Sequence, residues 1–210
     1  MFKQSGGKEM VRVLFLLALS LLLFGCTHAI PLKATMEVPP TINKIPMRIG
    51  VFYSQEFRNY QHAGSRGGDR WDFPLGSVSV PLFDQAFASL FNSVDSVPSL
   101  PPLSGYPGLT AAIAPKIEAF DFSLPLLKNG TYTAEITYRF TLYSLKGDPV
   151  ASWTVKGIGE KSGQFGFEFA RWPGEAADLA MRDAVTKFLN GFSDVPEIRR
   201  WLRETKGSAN

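Results

Sequence analysis

Tyr132-Thr133-Ala134-Glu135-Ile136-Thr137-Tyr138-Arg139-Phe140-Thr141-Leu142 alternates apolar and polar side chains without a break. A strand sends successive side chains to opposite faces. Tyr132, Ala134, Ile136, Tyr138, Phe140 and Leu142 therefore share one face, and Thr133, Glu135, Thr137, Arg139 and Thr141 the other. One buried and one wet face is the pattern of an antiparallel sheet lying on a core. The flanking sequence extends it. Upstream, Leu127-Lys128-Asn129-Gly130 predicts a turn, because Asn-Gly favours the backbone of tight hairpins. Before it, 112–122 predicts another strand, with Pro115 and the adjacent Ala119-Phe120 marking an irregular edge or a bulge. Downstream, Lys146-Gly147-Asp148-Pro149 turns the chain, and 150–158 returns with Ala151, Trp153 and Val155 inward.

Further out the period changes. Between Pro81 and Val94, Leu82, Phe83, Ala86, Phe87, Leu90, Phe91 and Val94 recur at helical spacing. The helix is expected to start in Gly76-Ser77-Val78-Ser79-Val80-Pro81, with Ser77 or Ser79 capping and Pro81 in the first turn. A second long helix starts near Pro173 or Gly174, with Ala177, Ala180, Met181, Ala184, Phe188 and Phe192 as its apolar positions. Gly191 and Pro196 end it, and 197–203 adds a short turn. A first strand over 47–53 and a polar, Gly-containing loop over 59–70 complete the reading. The order strand, helix, three strands, helix predicts an α+β fold: an antiparallel-rich sheet of about four strands with two main helices on one face.

The N-terminal region has a different grammar. Lys3, Lys8 and Arg12 precede an apolar run from Val13 to Phe24 that ends in Leu23-Phe24-Gly25-Cys26. A positive stretch, a short apolar run and a small residue describe a secretory signal peptide. The run falls short of the roughly 20 residues needed to span a bilayer as a helix. The single cysteine sits where that signal is cut. This resembles the lipobox of bacterial lipoproteins. The resemblance implies lipid on the Cys26 sulfur, cleavage before Cys26 and acylation of the new amine, and several chains together hold a protein to a membrane durably. Thr27, where Asp would favour the inner membrane, implies the outer membrane, with the domain facing the periplasm. The order of elements over 47–192 is also similar, as topology, to small envelope lipoproteins of the LptE and YajG types. It implies a scaffold, not a reaction.

The expected organisation is a signal at 1–25, lipidated Cys26 and a Pro-rich tether over 26–46, one domain over 47–204 and a disordered tail over 205–210. Residues 1–25 hold three cations against Glu9, so one positive charge of the formal +3 belongs to the rest. That balance gives no electrostatic footprint for nucleic acid.

The catalytic inventory is thin. Beyond the signal the histidines are His28 and His62, and no Gly-x-Ser-x-Gly elbow accompanies a serine. No catalytic residue, metal site or cofactor is expected. Gly157-Ile158-Gly159-Glu160-Lys161-Ser162 departs from the phosphate-loop pattern, because Glu160 stands where glycine must precede Lys-Ser. Glu118 and Glu135 are candidates for paired carboxylates, although alternation puts both on a wet face.

The candidate functional segment is 159–172. Phe165, Phe167 and Phe169 share one side of an extended chain, Gly163 and Gly166 make it pliable, and Trp172 follows. Either the rings tuck under the sheet or they offer an apolar surface to an envelope protein or an acyl chain. The expected function is a non-enzymatic outer-membrane lipoprotein, an accessory or scaffold in envelope assembly or transport. The alternative is a lipid- or small-ligand-binding lipoprotein, with a cavity between sheet and helices lined by Phe83, Phe87, Phe120 and Phe140.

Overall fold

The computed structural model describes residues 27–36, 43–102, 105–126, 129–164 and 170–207. The signal region, Cys26, residues 37–42 of the expected tether, Leu127-Lys128, and Phe165, Phe167 and Phe169 lie outside them. The described chain forms β1 (Thr27–Ala29), β2 (Ile45–Val51), the one-turn α1 (Gln55–Arg58), β3 (His62–Arg66), β4 (Asp69–Phe73), α2 (Leu75–Leu90) and β5 (Phe91–Ser96). There follow β6 (Ala111–Ser123), β7 (Asn129–Tyr143), β8 (Pro149–Gln164), α3 (Arg171–Gly191), a 3-10 turn (Phe192–Asp194) and α4 (Pro196–Gly207).

The fold is α+β, but the expected four-stranded, antiparallel-rich sheet is corrected to two mixed sheets. One has five strands in the order β5-β2-β6-β7-β8, the other three in the order β1-β4-β3. β2 runs parallel to both β5 and β6, and β1 parallel to β4; the remaining pairs are antiparallel. β5 is the missed strand. Phe91 and Val94 continue the helical spacing, yet α2 stops at Leu90, where Phe91 turns extended. The Arg48 guanidinium then grips Asp95 with two hydrogen bonds, at 2.6 and 3.0 Å, and ties β5 to β2. β5 is an edge strand in which only Phe91 is buried, so it shows no clean alternation. On β2, Ile49 and Val51 face the main core, while Gly50 lies against Val97 and Leu109 on the other side.

β7 is the strand its alternation describes, and both long helices pack on its apolar face. Phe83 of α2 and Phe188 of α3 meet Phe140 at ring separations of 5.2 and 4.5 Å. The start of α2 differs from expectation: Pro74 stands at the cap and Pro81 lies inside the helix. Neither serine caps. Ser77 donates to the Pro74 carbonyl, and Ser79 is buried 2.8 Å from the Tyr138 hydroxyl. The bulge falls at Glu118 on β6, a central strand rather than an edge. Pro115 is accommodated there because β2 covers β6 only over Ala111–Ile113.

Three loops of the sequence reading become ordered structure. Asn129 and Gly130 are not a turn but open β7, opposite Gln164 and Gly163. Residues 159–164 of the glycine-rich stretch continue β8. Residues 59–70 contain most of the β3–β4 hairpin, turned by Gly67 and Gly68 at φ +64° and +89°. The tether also differs from expectation over 27–36. Thr27, His28 and Ala29 pair with Arg70, Trp71 and Asp72, and Ile30 and Ala34 are buried. At the other end, α4 runs to Gly207.

Candidate functional site

The ends of β6 and β8, the β3–β4 tip and Trp172 lie at one pole. β6 runs toward it and is followed by Leu124 and the fully exposed Leu126. The β3–β4 tip arrives beside it, where Gly67 faces the Leu124 side chain. The end of β8 lies there too, and Gly163 packs under Trp172 so closely that a Cβ would stand 2.5 Å from the indole. Trp172 sits in the first turn of α3, half-buried, with the Arg171 and Lys161 cations 5.1 and 5.9 Å from its ring centre. Thr27 pairs with Arg70, next to the hairpin tip.

Ion pairs offset most of the charge at the pole. Arg66 lies 2.7 Å from Asp121, Arg70 3.2 Å from Asp72, and Glu175 within 2.7 Å of both Arg171 and Lys161. The two cations hold the Glu175 carboxyl below its usual range. Along the wet face of the large sheet, Glu118 and Glu135 are not paired with each other. Glu118 meets Arg139, and Glu135 meets Lys156 at 2.6 Å. Both carboxylates belong to ion pairs on an exposed surface.

The histidines are packing residues. His62 is not in a loop but on β3, with Phe120 at 5.0 Å and Phe122 at 6.2 Å. Burial lowers its pKa; Asp121 raises it and Arg66 lowers it, as smaller effects. His28 lies 4.9 Å from the Trp71 ring and 3.4 Å from Asp69. Among the described residues no three His, Cys, Asp or Glu side chains converge as metal ligands. None of the described helices is long and apolar enough to cross a membrane.

The expected cavity between sheet and helices is filled. Phe83, Phe87 and Phe140 have 0% exposure, so they border no void that admits water, and they pack with Phe188 as one group. Phe120 packs elsewhere in the same core, with Phe73 at 4.9 Å. A hollow that sequence reasoning missed lies elsewhere, where β2 and β5 end side by side. It measures about 670 Å³ and is lined by Phe52, Tyr53, Arg58, Val97, Pro98 and Tyr106, among others. Parallel strands leave a crevice at their carboxyl ends where the strand order reverses. Here the chain crosses from β5 to β6, on opposite sides of β2. Arg58 Nε donates to the Tyr53 carbonyl at 3.1 Å, with the guanidinium 5.3 Å from the Tyr53 ring centre. Burial and the Asp84 carboxylate, which accepts from the Tyr53 hydroxyl at 2.8 Å, push the Tyr53 pKa far up. Tyr53 is therefore a neutral wall, and the Arg58 cation is the charge of the crevice. The one sequence signal for it is Ser54 after the strand, which caps α1 by accepting from Phe57 N–H and so orients Arg58.

No protein-family model matches the sequence, and no curated protein matches it. Solved structures do. Protein XCC0632 from Xanthomonas campestris, of family DUF330, is similar in fold with a TM-score of 0.50 at 12% identity; the match covers 84% of this chain and 98% of that one. A minor lipoprotein from Acinetobacter baumannii matches at 9% identity with a TM-score of 0.37, over 75% of this chain and 96% of that one. The lipoprotein GNA1162 from Neisseria meningitidis matches at 10% identity with a TM-score of 0.33, over 55% and 85%. At such identities the likeness is one of fold, and the first of the three is the one that carries it.

Proposed function

We propose that this chain is a lipoprotein held by Cys26 in the outer membrane, its domain a non-enzymatic accessory or scaffold in envelope assembly or transport. One observation carries the reading. Lys3, Lys8 and Arg12, the apolar run from Val13 to Phe24 and Leu23-Phe24-Gly25-Cys26 resemble a lipoprotein signal, and Thr27, the next residue, is paired with Arg70 of β4. The fold likeness to XCC0632 supports a shared architecture, and the LptE- and YajG-type resemblance supports an envelope setting. Phe165, Phe167 and Phe169 remain candidates for an apolar contact by their spacing alone. The test is fractionation with mass spectrometry. The mature protein is expected in the outer membrane with acyl mass on Cys26, and Cys26→Ser is expected to leave the chain uncut or release it. Normal outer-membrane fractionation of Cys26→Ser would refute the anchor.

A second reading, a small-ligand-binding lipoprotein, is favoured by the crevice at Arg58. A guanidinium at the edge of an aromatic hollow suits a small organic anion with an apolar body. Calorimetric titration with octanoate and with octyl phosphate tests it. Heat of binding that vanishes in Arg58→Gln supports the reading, and no heat with either probe removes it.

A further inference from the structure

We infer that the pole formed by the β3–β4 tip, the end of β6 and the first turn of α3 rests on the lipid surface, with Leu126 inserted in it. The inference rests on the lipoprotein reading above and goes beyond it by giving the domain an orientation. An anchor on a flexible tether would leave the domain free to tumble, but here the slack is missing. Cys26 is one Cα step, about 3.8 Å, from Thr27. Thr27 is already paired with Arg70 in the three-stranded sheet. The chain after β1 is held as well: Ile30 is buried against α3, and Lys33 N–H donates to both Asp178 carboxylate oxygens at 3.0 and 3.1 Å. Acyl chains on Cys26 therefore bring the bilayer to the hairpin tip, not to a point at the far end of a linker.

The surface that this geometry presses on the membrane has the chemistry for it. Leu126 is fully exposed, an unusual state for a leucine, and Leu124, two residues before it, packs on the core. Arg66, Arg70 and Arg171 each have a carboxylate partner, so the contact is apolar insertion rather than attraction to anionic headgroups. Trp172, with its indole between Gly163 and two cations, adds an amphipathic ring of the kind that settles at membrane interfaces. The commitment is to lipid as the occupant, because the anchor and the exposed leucine meet at the same pole.

The chain has one cysteine, and acylation blocks it, so an introduced cysteine is the single free thiol. The acylated full-length mature protein is prepared as Leu126→Cys and as Lys146→Cys. Lys146 lies in the β7–β8 turn, about 45 Å away along β7 at about 3.3 Å per residue. Each thiol carries an environment-sensitive fluorophore, and the protein is placed in vesicles of phosphatidylethanolamine and phosphatidylglycerol. The label at 126 is expected to shift to the blue and to lose most of its emission to nitroxides on the acyl chains. The label at 146 is expected to do neither. Equal aqueous exposure of both labels on vesicle-bound protein overturns the inference, leaves the lipoprotein reading standing and leaves Leu126 free to meet a protein. Absence of acyl mass on Cys26, with no flotation with vesicles, overturns the lipoprotein reading and this inference with it. Leu126 is exposed, so neither substitution threatens the fold.

Discussion

A Cβ atom on Gly157 would overlap the carbonyl oxygen of Ala180 and stand 2.7 Å from the nitrogen of Ala184. β8 and α3 therefore meet backbone to backbone. Gly159 repeats the contact one step along, against Ala176 and Leu179. The alanines of α3 and the glycines of β8 are one device: small residues on both sides let a helix lie directly on a strand. The close approach also guards a sheet edge. Ile158 N–H donates to Asp183 at 2.8 Å, and Lys187 donates to the Lys156 carbonyl at 3.1 Å, so helix side chains occupy the edge groups that another strand would otherwise seek.

Gly157→Ala is thus expected to push α3 off the sheet. The obstacle is backbone, which cannot swing aside, so the cost should exceed the roughly 1–3 kcal/mol of ordinary overpacking. Ile158→Ala, on the wet side of the same strand, should cost little. Urea unfolding of both variants checks this, and a near-wild-type midpoint for Gly157→Ala would contradict the contact.

Ser79 and Tyr138 form the buried polar bond between α2 and β7. Burial pushes the tyrosine pKa up, with the serine bond opposing it, so the phenol stays neutral. Ser79→Ala leaves a phenol unpaired and should cost about 1–3 kcal/mol. The Ser79→Ala, Tyr138→Phe double variant should recover part of that loss, because no orphan remains. A double-mutant cycle measures the coupling, and strict additivity would mean that the hydrogen bond contributes nothing.

The wet and dry faces of β7 were legible because its period is two and every position obeys it. The helix stripes were legible for the same reason. β1 and β5 were not, because both are short and mostly exposed and carry no apolar alternation, and β5 is masked by Phe91 and Val94, which happen to continue a helical period. The glycines of β8 misled in another way. Glycine in a sequence suggests a turn, but Gly157 and Gly159 serve contact with α3, and that need exists only once the helix is placed. The pole followed suit. Leu126 in the sequence is one apolar residue among several, and its meaning depends on Thr27 being paired with Arg70 nearby.

His62 sets a pH dependence whose sign follows from burial. Packing on Phe120 and Phe122 disfavours the imidazolium, so the folded-state pKa lies below the ordinary value of 6.5. The unfolded chain then binds the proton more readily. Stability from this group is present above pH 6.5 and is lost as pH falls through the folded pKa. Replacing the ring by His62→Phe should flatten that part of the profile. Denaturant unfolding at stepped pH checks it; an unchanged slope in the variant would assign the dependence to other groups.

Asp178 holds the segment that follows Thr27, and its removal should loosen that segment without unfolding the domain. Its carboxylate accepts Lys33 N–H with both oxygens. Burial raises its pKa more than these bonds and Arg182 lower it, so the charge is tolerated there at a cost. In Asp178→Ala the lost hydrogen bonds and the relieved desolvation oppose each other. Global stability should fall by no more than about 1 kcal/mol, on the scale of one net hydrogen bond. Locally the balance differs, since the Lys33 amide loses its acceptor outright. Hydrogen exchange at Lys33 should speed up about tenfold, the equivalent of about 1.4 kcal/mol, while amides in the middle of β7 keep their protection. In the acylated protein the same variant should lengthen the slack between anchor and domain and weaken lipid quenching of a label at residue 126. Exchange at Lys33 that matches the wild type would mean that β1 pairing and the burial of Ile30 hold the segment without help from Asp178.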